Sequence, residues 1–149
     1  MNTKYQGRCF CGAVQFQLTG SPEAMAYCHC NSCRHWAAGP ISAFTLWKPS
    51  AFEVTQGLDC IDAFDKNSSQ SGGEVLSNRK WCKSCGGHIF TDHPTMGLID
   101  VPAAVIDNFA FKPGFHVHYQ ETVLPIKDGL PKFSDLPKEA GGSGEQLAE

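Results

Sequence analysis

Seven of the eight cysteines fall in three short clusters: Cys9-Phe10-Cys11, Cys28-His29-Cys30-Asn31-Ser32-Cys33 and Cys82-Lys83-Ser84-Cys85. No other feature restricts the fold so tightly, because residues 9–11 and 82–85 must meet in space if their thiols are to act together. Two pairs and one triplet supply four sulfurs for one closed tetrahedral zinc site and three for a second zinc with an open position. A four-thiolate zinc is usually structural, whereas a three-ligand zinc can take water or substrate in its vacant corner.

The bulk properties set the frame for that chemistry. At 149 residues the chain reads as one domain, residues 1–135, followed by a flexible C-terminal tail, residues 136–149, rich in Gly and Glu. A net charge of -3 and a pI near 6.0 argue against nucleic-acid binding driven by counterion release, which needs a basic face. Met1 to Arg8 has no apolar run behind a positive start, and no stretch approaches the length of a membrane span. The expectation is therefore a cytoplasmic, reducing setting with no membrane partner, where clustered cysteines hold metal more often than they form disulfides. The even cysteine count leaves the disulfide alternative open.

Along the chain, strand patterns dominate. Ala13 to Leu18 alternates, with Val14, Phe16 and Leu18 on one face, and Thr19-Gly20-Ser21-Pro22 ends it. Asn31 to Ala38 predicts a short helical turn stopped by Gly39-Pro40. Ile41 to Trp47, Phe52 to Thr55 and Ile61 to Asp65 read as strands, and Lys66 to Gly73 as a polar loop. Val75 to Trp81 is expected to pair with Ile89 to Asp92 across the Cys82–Cys85 turn, with later strands at Leu98 to Val101 and Phe115 to Tyr119. Residues 102–113 have no clear period, and from Lys127 onward the Pro and Gly content suggests an extended wrapping segment. The fold expected is mainly β with little helix.

The spacings suit zinc. Tetrahedral Zn–S bonds of about 2.3 Å place the sulfurs ~3.8 Å apart, whereas residues i and i+2 of a strand lie about 7 Å apart. Cys9 and Cys11 converge only if the backbone bends, which Gly12 permits, and Gly86 and Gly87 do the same after Cys82 and Cys85. These four make a credible four-sulfur site. Cys28, Cys30 and Cys33 remain. The alternation that aims Cys28 and Cys30 inward aims His29 away, so His29 is a poor fourth ligand. Three thiolates on a divalent ion suit an incoming soft ligand such as a small-molecule thiol. The rival reading is that another residue closes the triplet and makes it structural too.

The order Cys9-x-Cys11-Gly12-x-Val14, then Cys28-His29-Cys30-x-x-Cys33-Arg34, then Cys82-x-x-Cys85-Gly86 resembles the glutathione-dependent formaldehyde-activating enzyme family, also called the centromere protein V/GFA domain. The likeness continues into Phe52-Glu53-Val54-Thr55-Gln56-Gly57 and Asp128-Gly129-Leu130-Pro131. The resemblance implies stacked antiparallel sheets of the β-tent kind built around zinc-cysteine sites. It assigns Cys9, Cys11, Cys82 and Cys85 to a structural zinc and Cys28, Cys30 and Cys33 to a second, catalytic-type zinc. It also implies condensation of glutathione with formaldehyde, a carbon–sulfur lyase reaction. The Cys-His-Cys-x-x-Cys-Arg form places the chain in the wider branch of the family.

Other residues have two readings each. His35 could shuttle a proton at the mouth of the second site, or be a surface histidine. Arg34 could attract a substrate carboxylate, or form an ordinary ion pair. Trp36, Phe44 and Trp47 could line a pocket, though core packing is the simpler reading. His88, His93, His116 and His118 lack ligand spacing and read as structural or exposed, and Cys60 as a small buried apolar residue. The expected function is thus a zinc-dependent, carbon–sulfur lyase-like enzyme. It would act on the adduct of a glutathione-type thiol and a small aldehyde, with Cys28, Cys30, Cys33 and His35 at its catalytic centre. A non-enzymatic zinc module that binds protein or thiol ligands is the alternative, and a homo-oligomer is compatible with either.

Overall fold

The computed structural model describes residues 2–149. Its strands are β1 (Lys4–Arg8), β2 (Gln15–Thr19), β3 (Ala24–Cys28), β4 (Ser42–Trp47), β5 (Phe52–Gln56), β6 (Ile61–Phe64), β7 (Asn78–Cys82), β8 (His88–His93), β9 (Leu98–Pro102) and β10 (Phe115–Val117). Two short helices join them, α1 (Asn31–Ala37) and α2 (Lys66–Ser71), together with single 3-10 turns. The protein is mainly β, as expected. The chain divides into two compact units: Met1–Glu23 with Thr45–Ala110, and Ala24–Phe44 with Phe111–Glu149. No helix is long and apolar enough to cross a membrane.

In the first unit, β1, β2 and β5 form an antiparallel sheet with β2 at its centre. The alternation read from residues 13–18 is realised, since Val14, Phe16 and Leu18 are fully buried while Gln15, Gln17 and Thr19 are half-buried. Strand β1 carries Gly7 directly opposite Phe16, and a methyl group there would enter the Phe16 ring. The same unit contains the antiparallel ladder β6-β7-β8-β9, with β7 and β8 joined through the Cys82–Gly87 turn. Its core gathers Cys9, Val14, Phe16, Leu18, Trp47, Cys82, Ile89, Ile99, Val101 and Ile106. Trp47 buries its ring completely and still satisfies its indole N–H, which donates to Thr45 Oγ1 at 2.8 Å. Thr45 in turn donates to the Val101 carbonyl at 2.7 Å. Trp47 is therefore a core residue.

One local reading is corrected here. Residues 66–73 are not a plain loop, because Lys66–Ser71 forms α2. Asp65 supplies the reason: its side chain accepts from Ser68 N at 2.7 Å as an N-cap, and Gly72 ends the helix at φ 70. The other carboxylate oxygen of Asp65 accepts from Leu76 N and Ser77 N, at 3.0 and 2.7 Å, and folds the following segment back. Strand β7 consequently starts at Asn78 rather than Val75. Cys60 packs against the core as a small, partly buried residue, as read. Its sulfur lies 3.1 Å from Ser84 Oγ and 3.8 Å from Cys82 Sγ.

In the second unit, β3 and β10 pair in parallel, bringing Tyr27 beside His116 and Cys28 beside Val117. Ala24-Met25-Ala26 has little intrinsic strand preference, so pairing, not propensity, makes β3 a strand. Strand β10 stops at Val117 because His118 takes a left-handed conformation, φ 53. Residues 119–149 have mostly irregular backbone whose polar groups are nevertheless bonded. His116 N donates to Pro131 O, Phe133 N to His116 O, Ser134 N to Glu145 O and Leu147 N to Lys132 O. Within residues 136–149, Ser143 Oγ donates to Asp135 Oδ1 at 2.6 Å.

Two outcomes follow from this packing. Gly7→Ala should cost about 1–3 kcal/mol by overpacking against Phe16, read as a lower urea midpoint with an unchanged m-value. Asp65 is held at about 2 first by the Ser68 amide, then by Ser77 and Leu76, against the opposing push of burial. A carboxyl depressed in the folded state stabilises above its unfolded pKa, and that stability is lost as pH falls towards about 2. Asp65→Asn should therefore flatten the fall in unfolding free energy between roughly pH 4 and pH 2, measured by urea titration at several pH values.

Candidate metal centres

Each half of the first centre is a backbone turn that sequence dictates. Cys9 N donates to Val14 O at 3.0 Å and Gly12 N to Cys9 O at 3.2 Å, a bend that Gly12 completes at φ 80. The Cys82 turn is built likewise, with Gly86 N donating to Cys82 O at 2.8 Å and Gly86 at φ 74. Without a Cβ, glycine takes this left-handed conformation at no steric cost. The turns also aim amides at sulfur: Val14 N donates to Cys9 Sγ and Gly87 N to Cys85 Sγ, both at 3.3 Å.

The four sulfurs of Cys9, Cys11, Cys82 and Cys85 lie within 4.8 Å of one another. Cys9 Sγ to Cys11 Sγ is 3.7 Å and Cys11 Sγ to Cys82 Sγ is 3.9 Å, which brackets the ~3.8 Å edge of a zinc–thiolate tetrahedron. Cys9 and Cys82 belong to the core, whereas Cys11 is exposed, and Phe10 between Cys9 and Cys11 is 89% exposed. Burial pushes the Cys82 thiol up to about 12. Burial also opposes ionisation of Cys85, but the Gly87 and Cys11 amides outweigh it and bring that thiol down to about 6. This donor set fits a divalent soft cation, and Cys60 stands beside it as a fifth sulfur.

The second centre is built by the end of β3 and the start of α1. Cys28, Cys30 and Cys33 have sulfurs within 4.8 Å of one another, with Cys28 buried and the other two half-buried. Cys30 is the N-cap of α1, and its sulfur accepts from Cys33 N at 3.2 Å. The Cys28 and Cys33 thiols donate to Cys30 and hold it far below the ordinary thiol range, against burial. His118 adds a smaller push the same way. As the donor in this arrangement, Cys28 is driven far up, and Cys33 and burial add to the effect. Three converging sulfurs of this kind are a donor set that could hold a metal. Among the described residues, these two clusters are the groups of three or more Cys, His, Asp or Glu side chains with metal-ligand convergence.

The other singled-out residues now have positions. His29 lies fully buried between Cys28 and Cys30, and both its ring nitrogens are engaged elsewhere. Its Nε2 is 2.8 Å from His116 Nδ1 and its Nδ1 is 2.7 Å from Thr122 Oγ1. Its turn away from the sulfurs agrees with the strand alternation. Burial lowers the His29 ring to about 4, and the neighbouring His116 adds to this. His35 is exposed on α1, donating from Nδ1 to Asn31 O at 2.8 Å. Arg34 donates from Nε to the His29 carbonyl at 2.9 Å rather than making an ion pair through that nitrogen.

His116 and Asp128 were not recognisable as site residues from sequence. His116 is fully buried, stacked on Tyr27 with ring centroids 4.9 Å apart, and its Nε2 donates to Asp128 Oδ2 at 2.7 Å. The other oxygen of Asp128 accepts from the buried Lys132 ammonium at 2.8 Å. Burial opposes both charges, yet each holds the other ionised, Asp128 well below and Lys132 above its ordinary range. The four-residue interval between Asp128 and Lys132 was a usable signal, but its link to His29 exists only in three dimensions. In the first unit, His93 lies 3.9 Å from Asp100 across the β8–β9 pair.

A crystal structure of a Rhodobacter sphaeroides protein superposes with a TM-score of 0.51 at 20% identity, covering 70% of this chain and 90% of that one. At that identity the likeness shows the fold alone. An uncharacterized lyase of Schizosaccharomyces pombe is 27% identical over 88 residues, which is 58% of this chain and 56% of that protein, so the match spans little more than half of the relative. The profile of the family described as glutathione-dependent formaldehyde-activating enzyme matches residues 4–121, a span that includes all seven clustered cysteines. The chain belongs to the glutathione-dependent formaldehyde-activating enzyme family.

Proposed function

We propose that the protein is a carbon–sulfur lyase-type enzyme that joins a glutathione-like thiol to a small aldehyde, and reverses that reaction, at the Cys28–Cys30–Cys33 centre. One observation carries the reading: three sulfurs converge, no fourth Cys, His, Asp or Glu joins them among the described residues, and the imidazole between them in sequence, His29, has both ring nitrogens bonded elsewhere. In this reading the trio is three-coordinate towards a metal. In the same reading Cys9, Cys11, Cys82 and Cys85 hold a second, structural zinc. When bound at the trio, zinc supplies a position for the incoming thiol and lowers that thiol's pKa.

The chain's own residues do the rest. Cys28, Cys30 and Cys33 fix where a thiol sulfur enters, which orients it towards the carbonyl carbon. The step forms one C–S bond and opens the C=O π bond, and the proton lost by the thiol ends on the former carbonyl oxygen. In this reading His35, exposed on α1, hands over this proton. His118 is the imidazole that favours the Cys30 thiolate. Arg34, with Nε committed to the His29 carbonyl, holds the loop and keeps its terminal nitrogens for a substrate carboxylate.

Reduced, freshly prepared protein is expected to hold two zinc ions by elemental analysis, one lost in Cys82→Ser and the other in Cys28→Ser. Thiol-dependent aldehyde consumption, followed by exchange NMR, should exceed the spontaneous rate and fall to it in Cys30→Ser with circular dichroism unchanged. A wild-type rate equal to the spontaneous one across several thiols and aldehydes would leave a thiol-binding zinc module in place of an enzyme.

A further inference from the structure

His29 is tied at every polar atom it has. Its N–H donates to Val117 O at 3.1 Å, and its carbonyl accepts from Arg34 Nε at 2.9 Å. Its ring nitrogens meet Thr122 Oγ1 and His116 Nδ1 at 2.7 and 2.8 Å. The Tyr119 ring closes edge-on over both imidazoles, with centroids 4.8 Å from His29 and 5.7 Å from His116. A residue between two converging sulfurs is thus fixed in position and in ring rotation.

With both imidazoles neutral, the hydrogen bonds run in one direction. Asp128 accepts at Oδ1 from Lys132 and Leu130 N, so its Oδ2 must receive the His116 Nε2 proton. In the neutral imidazole that leaves His116 Nδ1 as acceptor, and His29 donates to it from Nε2. His29 Nδ1 is then the acceptor of the Thr122 hydroxyl proton, while Thr122 Oγ1 accepts from Leu124 N at 3.2 Å. The bonds run in series through Thr122, His29, His116 and Asp128 to Lys132. The Lys132 ammonium is further braced by Glu149 at 3.4 Å.

We propose that Thr122, His29, His116, Asp128 and Lys132 form a positioning relay that holds Cys28 and Cys30 in the geometry for metal capture and keeps His29 from closing the vacant corner. None of these residues touches substrate, so they are positioning residues. The relay rests on the reading of the triplet as a metal centre, and it gives that reading a structural cause: the vacant corner is built, because the imidazole closest in sequence is spent on the relay. Partners that orient a metal site from outside its ligands are generally worth about 10–100-fold in metal affinity.

The test is cobalt(II) titration of the reduced full-length chain against a competing chelator, with the four-sulfur centre as internal control. The two centres are told apart by the response to an added small thiol, which alters the thiolate-to-cobalt absorption of the open centre only. Thr122→Val, which removes the hydroxyl without changing shape, should weaken the triplet about 10-fold and broaden its absorption, while the four-sulfur centre binds as before. Thr122→Ser, which keeps the hydroxyl, should restore wild-type binding. Asp128→Asn combined with Lys132→Met removes both charges of the pair together and should weaken the triplet in the same way. Wild-type affinity and spectrum in Thr122→Val overturn the relay, whatever the fate of the double variant. A wild-type chain that takes up one cobalt overturns the relay and the metal reading of the triplet together. Two cobalt ions, a weakened triplet in Thr122→Val and no thiol-dependent turnover leave the relay standing and remove the enzyme.

Discussion

Sulfurs brought within 4.8 Å of one another must share a cation or keep protons, and both cysteine centres of this protein are organised around that constraint. Several thiolates so close repel one another strongly, and burial of Cys9, Cys28 and Cys82 removes the water that would screen them. The polypeptide answers with amide donors at the first centre and with thiol-to-thiol hydrogen bonds at the second. Neither answer neutralises a fully ionised set, which is why a divalent soft cation is the natural complement of both. The packing around them differs in consequence: Cys9 and Cys82 are part of a hydrophobic core, whereas the triplet leans on a polar network.

That network is costly in principle, since Lys132, His29 and His116 are almost wholly buried. It is tolerable because no polar atom is wasted; among the described residues no buried side-chain nitrogen or oxygen lacks a partner. A fully satisfied chain of this kind has one arrangement, and one arrangement is what a three-sulfur centre requires if it is to stay open on one side. Asp65 shows the same logic in the first unit, where one carboxylate serves three backbone amides and organises α2 and the segment after it.

How much was legible beforehand varies by element. The Val14–Phe16–Leu18 stripe, the Cys82 turn between β7 and β8, and the short helix after Cys30 were all readable, because each is written in neighbouring residues. β1 and β3 were not, since Lys4–Arg8 and Ala24–Cys28 have weak strand preference and become strands through their partners β2 and β10. α2 was missed because six polar residues carry no apolar period, and the Asp65 cap that makes them helical was read as the end of a strand. Cys60 was readable as a small core-packing residue, but its neighbours Ser84 and Cys82 are far away in sequence.

By itself, the order of residues determined the thiol inventory, its grouping as pairs and a triplet, the glycines that let the paired turns close, and the family. These are local facts: a ligand's identity and the bend beside it need nothing beyond a few adjacent positions. Only the tertiary structure decided that His29 is occupied by His116 and Thr122, and that Asp128 and Lys132 stand behind it. Such bonds join residues 29, 116, 122, 128 and 132 through a parallel strand pair and irregular backbone, and hydrogen-bond direction depends on which atoms face each other, which no periodicity records.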